Sequence, residues 1–221
     1  MEMFRRVFFD DFDSWNDFSL IRSSKTITSP EPKYMKVEIS GADGDLDLTE
    51  FFGDVKYQNR RLTFEFSTIV PQNEFLTVFS EVQNNLHGRK MKIVLEEDSD
   101  FYYVGRISVN EWMADRNVGK ITIECDCEPY KYKKEKTIFT FNVTSTTPYI
   151  LPNLRKRVVP TFTISSPLQI EFNNSIYKIG SEGMTGEQTY VIPEISLVQG
   201  DNVIRLTGNG RVRIEYQEGG L

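Results

Sequence analysis

Three aspartates at alternate positions, Asp43, Asp45 and Asp47, open the stretch "DGDLDLTEFFGDVKYQNR", which runs to Arg60. Carboxylates at that spacing are the donors of a calcium loop, which takes oxygens from positions 1, 3, 5, 7, 9 and 12 around an obligatory glycine at position 6. Asp43, Asp45, Asp47, Thr49 and Asp54 fill positions 1, 3, 5, 7 and 12, but position 6 is Leu48 and position 12 is a short Asp rather than a bidentate Glu. No helix leads in either. Upstream, "YMKVEIS" alternates Met35, Val37 and Ile39 with Lys36, Glu38 and Ser40, the pattern of a half-buried strand. The stretch therefore reads as a solvated acidic turn, with a calcium loop the weaker alternative, and its role lies elsewhere.

Other residues capable of chemistry are few. Cys125 and Cys127 alternate with polar residues in "KITIECDCEPY", so both thiols face a core as small apolar side chains, badly placed for a disulfide with each other. The chain has one histidine, His87, which leaves no partner for a thiol-based metal site or a Ser/Cys nucleophile. No glycine-rich phosphate loop and no GxSxG elbow occurs. Glu96, Glu97, Asp98 and Asp100 cluster in "LEEDSDFYY", and paired acids can cleave glycosides, but adjacency is not the required geometry. The run joins two strands, and acids are common in such loops because they stay solvated. No catalytic residue and no cofactor is expected.

Composition narrows the class further. The 221 residues, 39% hydrophobic and 13% aromatic, can bury one large core or two small ones. A net charge of −6 argues against wrapping nucleic acid, which needs a clustered basic surface. The one basic run, "YKYKKEK" from Tyr130 to Lys136, holds a glutamate and reads as a solvated linker. Acids interrupt the apolar residues after Val7, Phe8 and Phe9, so no signal-peptide core is expected, nor any membrane span, which points to folding in a cytoplasm.

The elements that would carry these residues are mostly strands. Leu62, Phe64 and Phe66, then Met91, Ile93 and Leu95, then Phe101, Tyr103, Ile107 and Val109 alternate with polar neighbours. One segment breaks this period: Phe75, Phe79, Val82 and Leu86 recur at helical steps, with Pro71 near the start and His87-Gly88 at the stop, which predicts one helix near 72–87. The aromatics of "FFDDF", with Phe12, Trp15 and Phe18, suit the core of this half. After Lys133 the pattern becomes short strands punctuated by "SSP", "FNNS", "GSEGMTGE", "QGDN" and "TGNG", as in a β-sandwich or jelly roll. The expected domains are 1–133, β with one helix, and 134–221, all β. The second half also admits a carbohydrate-binding module, with Tyr149, Tyr177 and Tyr190 as the available stacking rings.

Taken in order, "FFDDF", "DGDLDLTEFFGDVKYQNR", "NLHGRKMKI", "YYVGR" and "CEPYKY" resemble the distal tail protein (Dit) family of long non-contractile-tailed bacteriophages over nearly the whole chain. The resemblance implies a hexameric ring at the tail tip that joins the tail tube to the host-adsorption device, with tube, tail-tip and receptor-binding proteins as partners. It implies a ring-building amino-terminal domain and an outward galectin-like β-sandwich. It also implies a virion protein assembled in the host cytoplasm. Longer members carry sugar-binding insertions in the outer domain; this chain shows none. A ring subunit must offer its neighbour a strand edge or arm. Asp43, Asp45, Asp47, Tyr57, Asn59, Arg60 and Arg61 are the candidate interface residues, the arginines meeting a neighbour's acids. On that reading Arg60→Glu weakens assembly and leaves the monomer folded.

Overall fold

The computed structural model describes residues 6–51, 53–68, 70–115 and 118–221. The chain is mainly antiparallel β with, among the described residues, one α-helix, and it divides into two compact units, Met1–Lys131 and Tyr132–Leu221.

In the first unit the strands are β1 (Val7–Phe9), β2 (Phe12–Asp13), β3 (Leu20–Ile27), β4 (Lys36–Glu38), β5 (Asp45–Asp47), β6 (Arg60–Thr68), β7 (Lys90–Leu95), β8 (Phe101–Asp115) and β9 (Val118–Cys127). The main sheet runs β2-β1-β7-β8-β9-β6-β3, while β4 and β5 pair only with each other. Alternation explains the sheet: in β6 Leu62, Phe64 and Phe66 are buried, and Arg61 and Glu65 face outward. Ile121, Ile123, Cys125 and Cys127 of β9 join the same core, with both cysteines free. Each fully buried Phe, Leu or Ile contributes roughly 1.5–3 kcal/mol of apolar transfer.

The inner face of this sheet is covered by α1 (Phe75–Leu86), preceded by a single 3₁₀ turn, Gln72–Glu74. The helix buries Phe75, Val78, Val82 and Leu86. Phe79 is only partly buried, stacked on Trp112 with ring centroids 5.4 Å apart. His87 caps the carboxy-terminal end, and its Nδ1 accepts the Val109 N–H at 3.0 Å, tying the helix end to β8. Among the amino-terminal aromatics Phe9 and Phe18 are core, with Phe12 stacked on Phe18.

Two expectations are corrected in this unit. Met35, Val37 and Ile39 are exposed rather than half-buried, because β4 has one partner strand and no layer beneath it. The acidic run is no solvated loop either: Arg6 binds Glu96 at 3.0 Å, Arg22 and Lys25 bind Glu97 at 2.7 and 2.5 Å, and Lys131 binds Asp98 at 2.7 Å. Each of the three acids is thus pinned by its own cation.

The second unit is a β-sandwich. Its strands are β11 (Thr137–Val143), β12 (Thr147–Asn153), β13 (Thr161–Ile164), β14 (Leu168–Phe172), β15 (Ser175–Ile179), β16 (Gln188–Val191), β17 (Gly200–Gly208) and β18 (Gly210–Tyr216), while the short β10 (Lys131–Lys133) and β19 (Gly219–Gly220) pair with each other outside the two sandwich sheets. One sheet runs β11-β18-β13-β16 and the other β12-β17-β14-β15. Their inner faces meet in a core that includes Leu151, Phe162, Ile164, Ile170, Ile204, Leu206 and Ile214. The basic run is not a solvated linker: Tyr132 is buried, and the Lys133 ammonium sits 2.9 Å from Glu218. Strand β12 escapes the sequence pattern because Pro148 and Pro152 interrupt it. Both prolines point outward on an edge strand, where the missing donors cost no ladder bond.

Candidate functional site

Between β3 and β6 the chain leaves the main sheet and returns. The departure is fixed at its foot by Thr28, whose N–H donates to the Arg61 carbonyl at 3.0 Å and whose hydroxyl accepts the Arg61 N–H at 2.9 Å. Further out, Gln58 N–H reaches the Glu31 carbonyl at 2.8 Å, Lys33 N–H reaches the Lys56 carbonyl at 2.7 Å, and Pro32 bridges Tyr57. Beyond them β4 and β5 form a two-stranded ribbon closed by a turn whose Gly41 and Gly44 take φ of 82° and 75°.

Register makes the ribbon amphipathic. Lys36 lies opposite Asp47 and Glu38 opposite Asp45, so the charges share one face, while Val37 lies opposite Leu46 on the other. Two strands alone have no second layer with which to bury an apolar face. Val37, Ile39 and Leu46 are accordingly bare, and Tyr34 and Phe51 are 67% and 72% exposed. This is an apolar patch with a polar back, the composition of a docking surface.

The seven candidate residues fall into separate places. Asp43 lies in the turn, and Asp45 and Asp47 alternate on the charged face of β5. The Asp47 carboxyl is held below the usual carboxylate range by the hydroxyl and then the backbone N–H of Thr49. Among the described residues no group of three or more His, Cys, Asp or Glu is placed to hold a metal ion. Tyr57 is half-buried, edge-on to Tyr130 at 6.0 Å, and Asn59 donates to Asp126 at 3.1 Å. Arg61 is exposed, with a loose 3.7 Å contact to Glu124.

Arg60 departs from expectation. It is 6% exposed within its own chain, paired with Cys127 across β6 and β9, and its guanidinium lies 5.6 Å from the Tyr103 ring centroid. Its Nε is buried without a hydrogen-bond partner. A side chain facing its own core cannot reach a neighbour's acids, so Arg60→Glu would strike the monomer first. Sequence reasoning mistook its face because the polar run "YQNRR" hides where strand alternation begins.

Left out of the candidate set is the ribbon's apolar face, where Leu46 lies opposite Val37. The signal was present: the excursion alternates on both strands, yet no further apolar strand follows before β6 to cover it.

No family model matches the chain, and no curated protein matches it. Among solved structures, the fold is shared with a phage protein: SPP1 Dit (gp 19.1), described as a paradigm of the hub adsorption apparatus in phages infecting Gram-positive bacteria. The two superpose with a TM-score of 0.71 over 96% of this chain and 98% of that one, at 14% sequence identity. The two-unit, mainly β architecture is therefore the Dit fold, in agreement with the family resemblance read from the sequence.

Proposed function

We propose that this chain is a distal tail protein, a non-catalytic hub adaptor that forms a hexameric ring between the phage tail tube and the tail-tip adsorption device. The observation that carries the reading is the ribbon of residues 28–59, whose apolar face is uncovered in one chain, within a fold matched end to end by a tail-hub protein. A head-to-tail interface closes into a ring when one subunit's projecting element fits a different surface of the next. The ribbon is that projecting element; it carries Asp43, Asp45, Asp47, Tyr57 and Asn59, with Arg61 at its foot. The second unit takes the part of the outward galectin-like domain. The protein is then a virion component at the tail tip, assembled in the host cytoplasm, with tail-tube and tail-tip proteins as partners.

Light scattering across a concentration series tests this. A species of about 154 kDa, six copies of the 25.7 kDa chain, is the expected result. A monomer at every concentration, with or without the tail-tube protein, would sink the ring.

A further inference from the structure

At the base of the ribbon lies a cavity of about 430 Å³, walled by Pro32, Tyr34, Asp47, Glu50, Val55 and Tyr57. Its volume is that of a ligand pocket, and its lining is two tyrosines, two carboxylates, the Thr49 hydroxyl and aliphatic carbon. Ionised carboxylates only accept hydrogen bonds, and aromatic faces attract positive charge. The Thr49 hydroxyl accepts the Met35 N–H at 3.0 Å and hydrogen-bonds the Asp47 carboxylate, so both of its roles are already taken up within the ribbon. Glu50 has no ion-pair partner among the described residues, and Lys36 already rests 5.5 Å from the Tyr34 ring centroid. Two carboxylates and two ring faces favour an occupant that carries positive charge and several donors. A guanidinium or an ammonium meets the carboxylates and the ring faces together.

We propose that this cavity receives a lysine or arginine side chain from a second copy of the chain. The proposal rests on the reading of the ribbon as an intersubunit contact, because Asp47, on the charged face of the ribbon, lines the cavity. Charge complementarity within the chain supports a second copy. The first unit carries sixteen Lys and Arg against twenty-four Asp and Glu, the second ten against eight. Lys120, Arg205 and Arg211 have no ion-pair partner among the described residues and are free to serve as donors.

Two measurements on the full chain test it. Solution mass is compared for wild type, Glu50→Gln, Glu50→Lys and the ribbon variant Val37→Asp; in parallel, ethylguanidinium and methyl glucoside are titrated into each and followed by NMR. Support consists of an association constant lowered about tenfold in Glu50→Lys, with ethylguanidinium shifts at Tyr34 and Tyr57 that vanish in Glu50→Gln. If Val37→Asp dissociates the assembly while Glu50→Lys leaves it intact, the cavity proposal is overturned and the ribbon reading survives. If wild type is monomeric throughout, the second-copy occupant is overturned whatever the probe does. Shifts with methyl glucoside in place of ethylguanidinium overturn the cation assignment itself.

Discussion

Glu97 accepts a hydrogen bond from Arg22 Nη2 at 2.7 Å across 75 residues of sequence, joining the edge strand β3 to the turn between β7 and β8. Lys25 adds a second cation at 2.5 Å. The Arg22 side chain is only 4% exposed, and its Nη1 is buried with no partner, so the guanidinium depends on this one carboxylate. Partial burial pushes the Glu97 carboxyl up, but the hydrogen bonds from Lys25 and Arg22 outweigh it and hold the carboxyl at about 2.

Because the folded carboxyl titrates below its ordinary value of 4.5, the latch stabilises fully above that pH and is lost as pH falls toward about 2. Glu97→Gln is expected to lower stability at pH 7 by about 2 kcal/mol, between the values for exposed and buried pairs. Urea unfolding at pH 7 and pH 3 checks it. The gap between wild type and variant must narrow at the lower pH, and a gap independent of pH would mean that the charge contributes nothing.

Cys125 and Cys127 should be inert in the native protein. Burial pushes the Cys127 thiol up to about 12, with Asp126 adding to the rise, and burial also drives the Cys125 thiol well above its ordinary value. A maleimide reagent at pH 7.5 is expected to label neither until denaturant unfolds the first unit. Stoichiometric labelling of the folded protein would show that β9 opens locally.

Gly105 faces Cys127 in the neighbouring strand so closely that an added Cβ would lie 2.4 Å from its Sγ and 2.9 Å from the Asp126 carbonyl oxygen. The contact with backbone cannot be relieved by a rotamer change. Gly105→Ala is expected to cost about 1–3 kcal/mol, read as a lower denaturation midpoint. A neutral result would show that β8 and β9 separate more easily than their register suggests.

In the second unit, buried Asn202 organises the turn before β17. Its Oδ1 accepts the Val198 N–H at 2.9 Å, and its Nδ2 donates to the carbonyls of Val198 at 2.9 Å, Gly200 at 3.0 Å and Leu151 at 3.2 Å. Asn202→Leu leaves these backbone groups unpaired and is expected to cost about 2–3 kcal/mol. Hydrogen exchange should rise at Val198 and nearby amides while the first unit is unaffected.

Arg60 and Arg61, adjacent in sequence, should behave oppositely. Arg60→Glu buries an acid beside Cys127 and is expected to destabilise the monomer by about 3 kcal/mol or more. Arg61→Glu, exposed, should shift stability by no more than about 0.5 kcal/mol. Thermal melting of the two variants separates them, and equal midpoints would contradict the inward placement of Arg60.

Local pattern alone determined the alternating cores of β6 and β9, the inward cysteines, the helix over Phe75–Leu86 and its His87 stop, because strand and helix periods are set by backbone geometry and need no long-range knowledge. The order of motifs likewise pointed to the fold that the match to SPP1 Dit bears out. Only tertiary structure decided that Met35, Val37 and Ile39 stand uncovered, since a half-apolar strand reads the same whether or not a second layer lies against it. It alone matched Glu96, Glu97 and Asp98 to Arg6, Arg22, Lys25 and Lys131, because a salt bridge between residues far apart in sequence leaves no local trace. And it alone turned Arg60 inward: adjacent residues of a strand point to opposite faces, and the pairing with Cys127 fixes which of the two arginines meets the core.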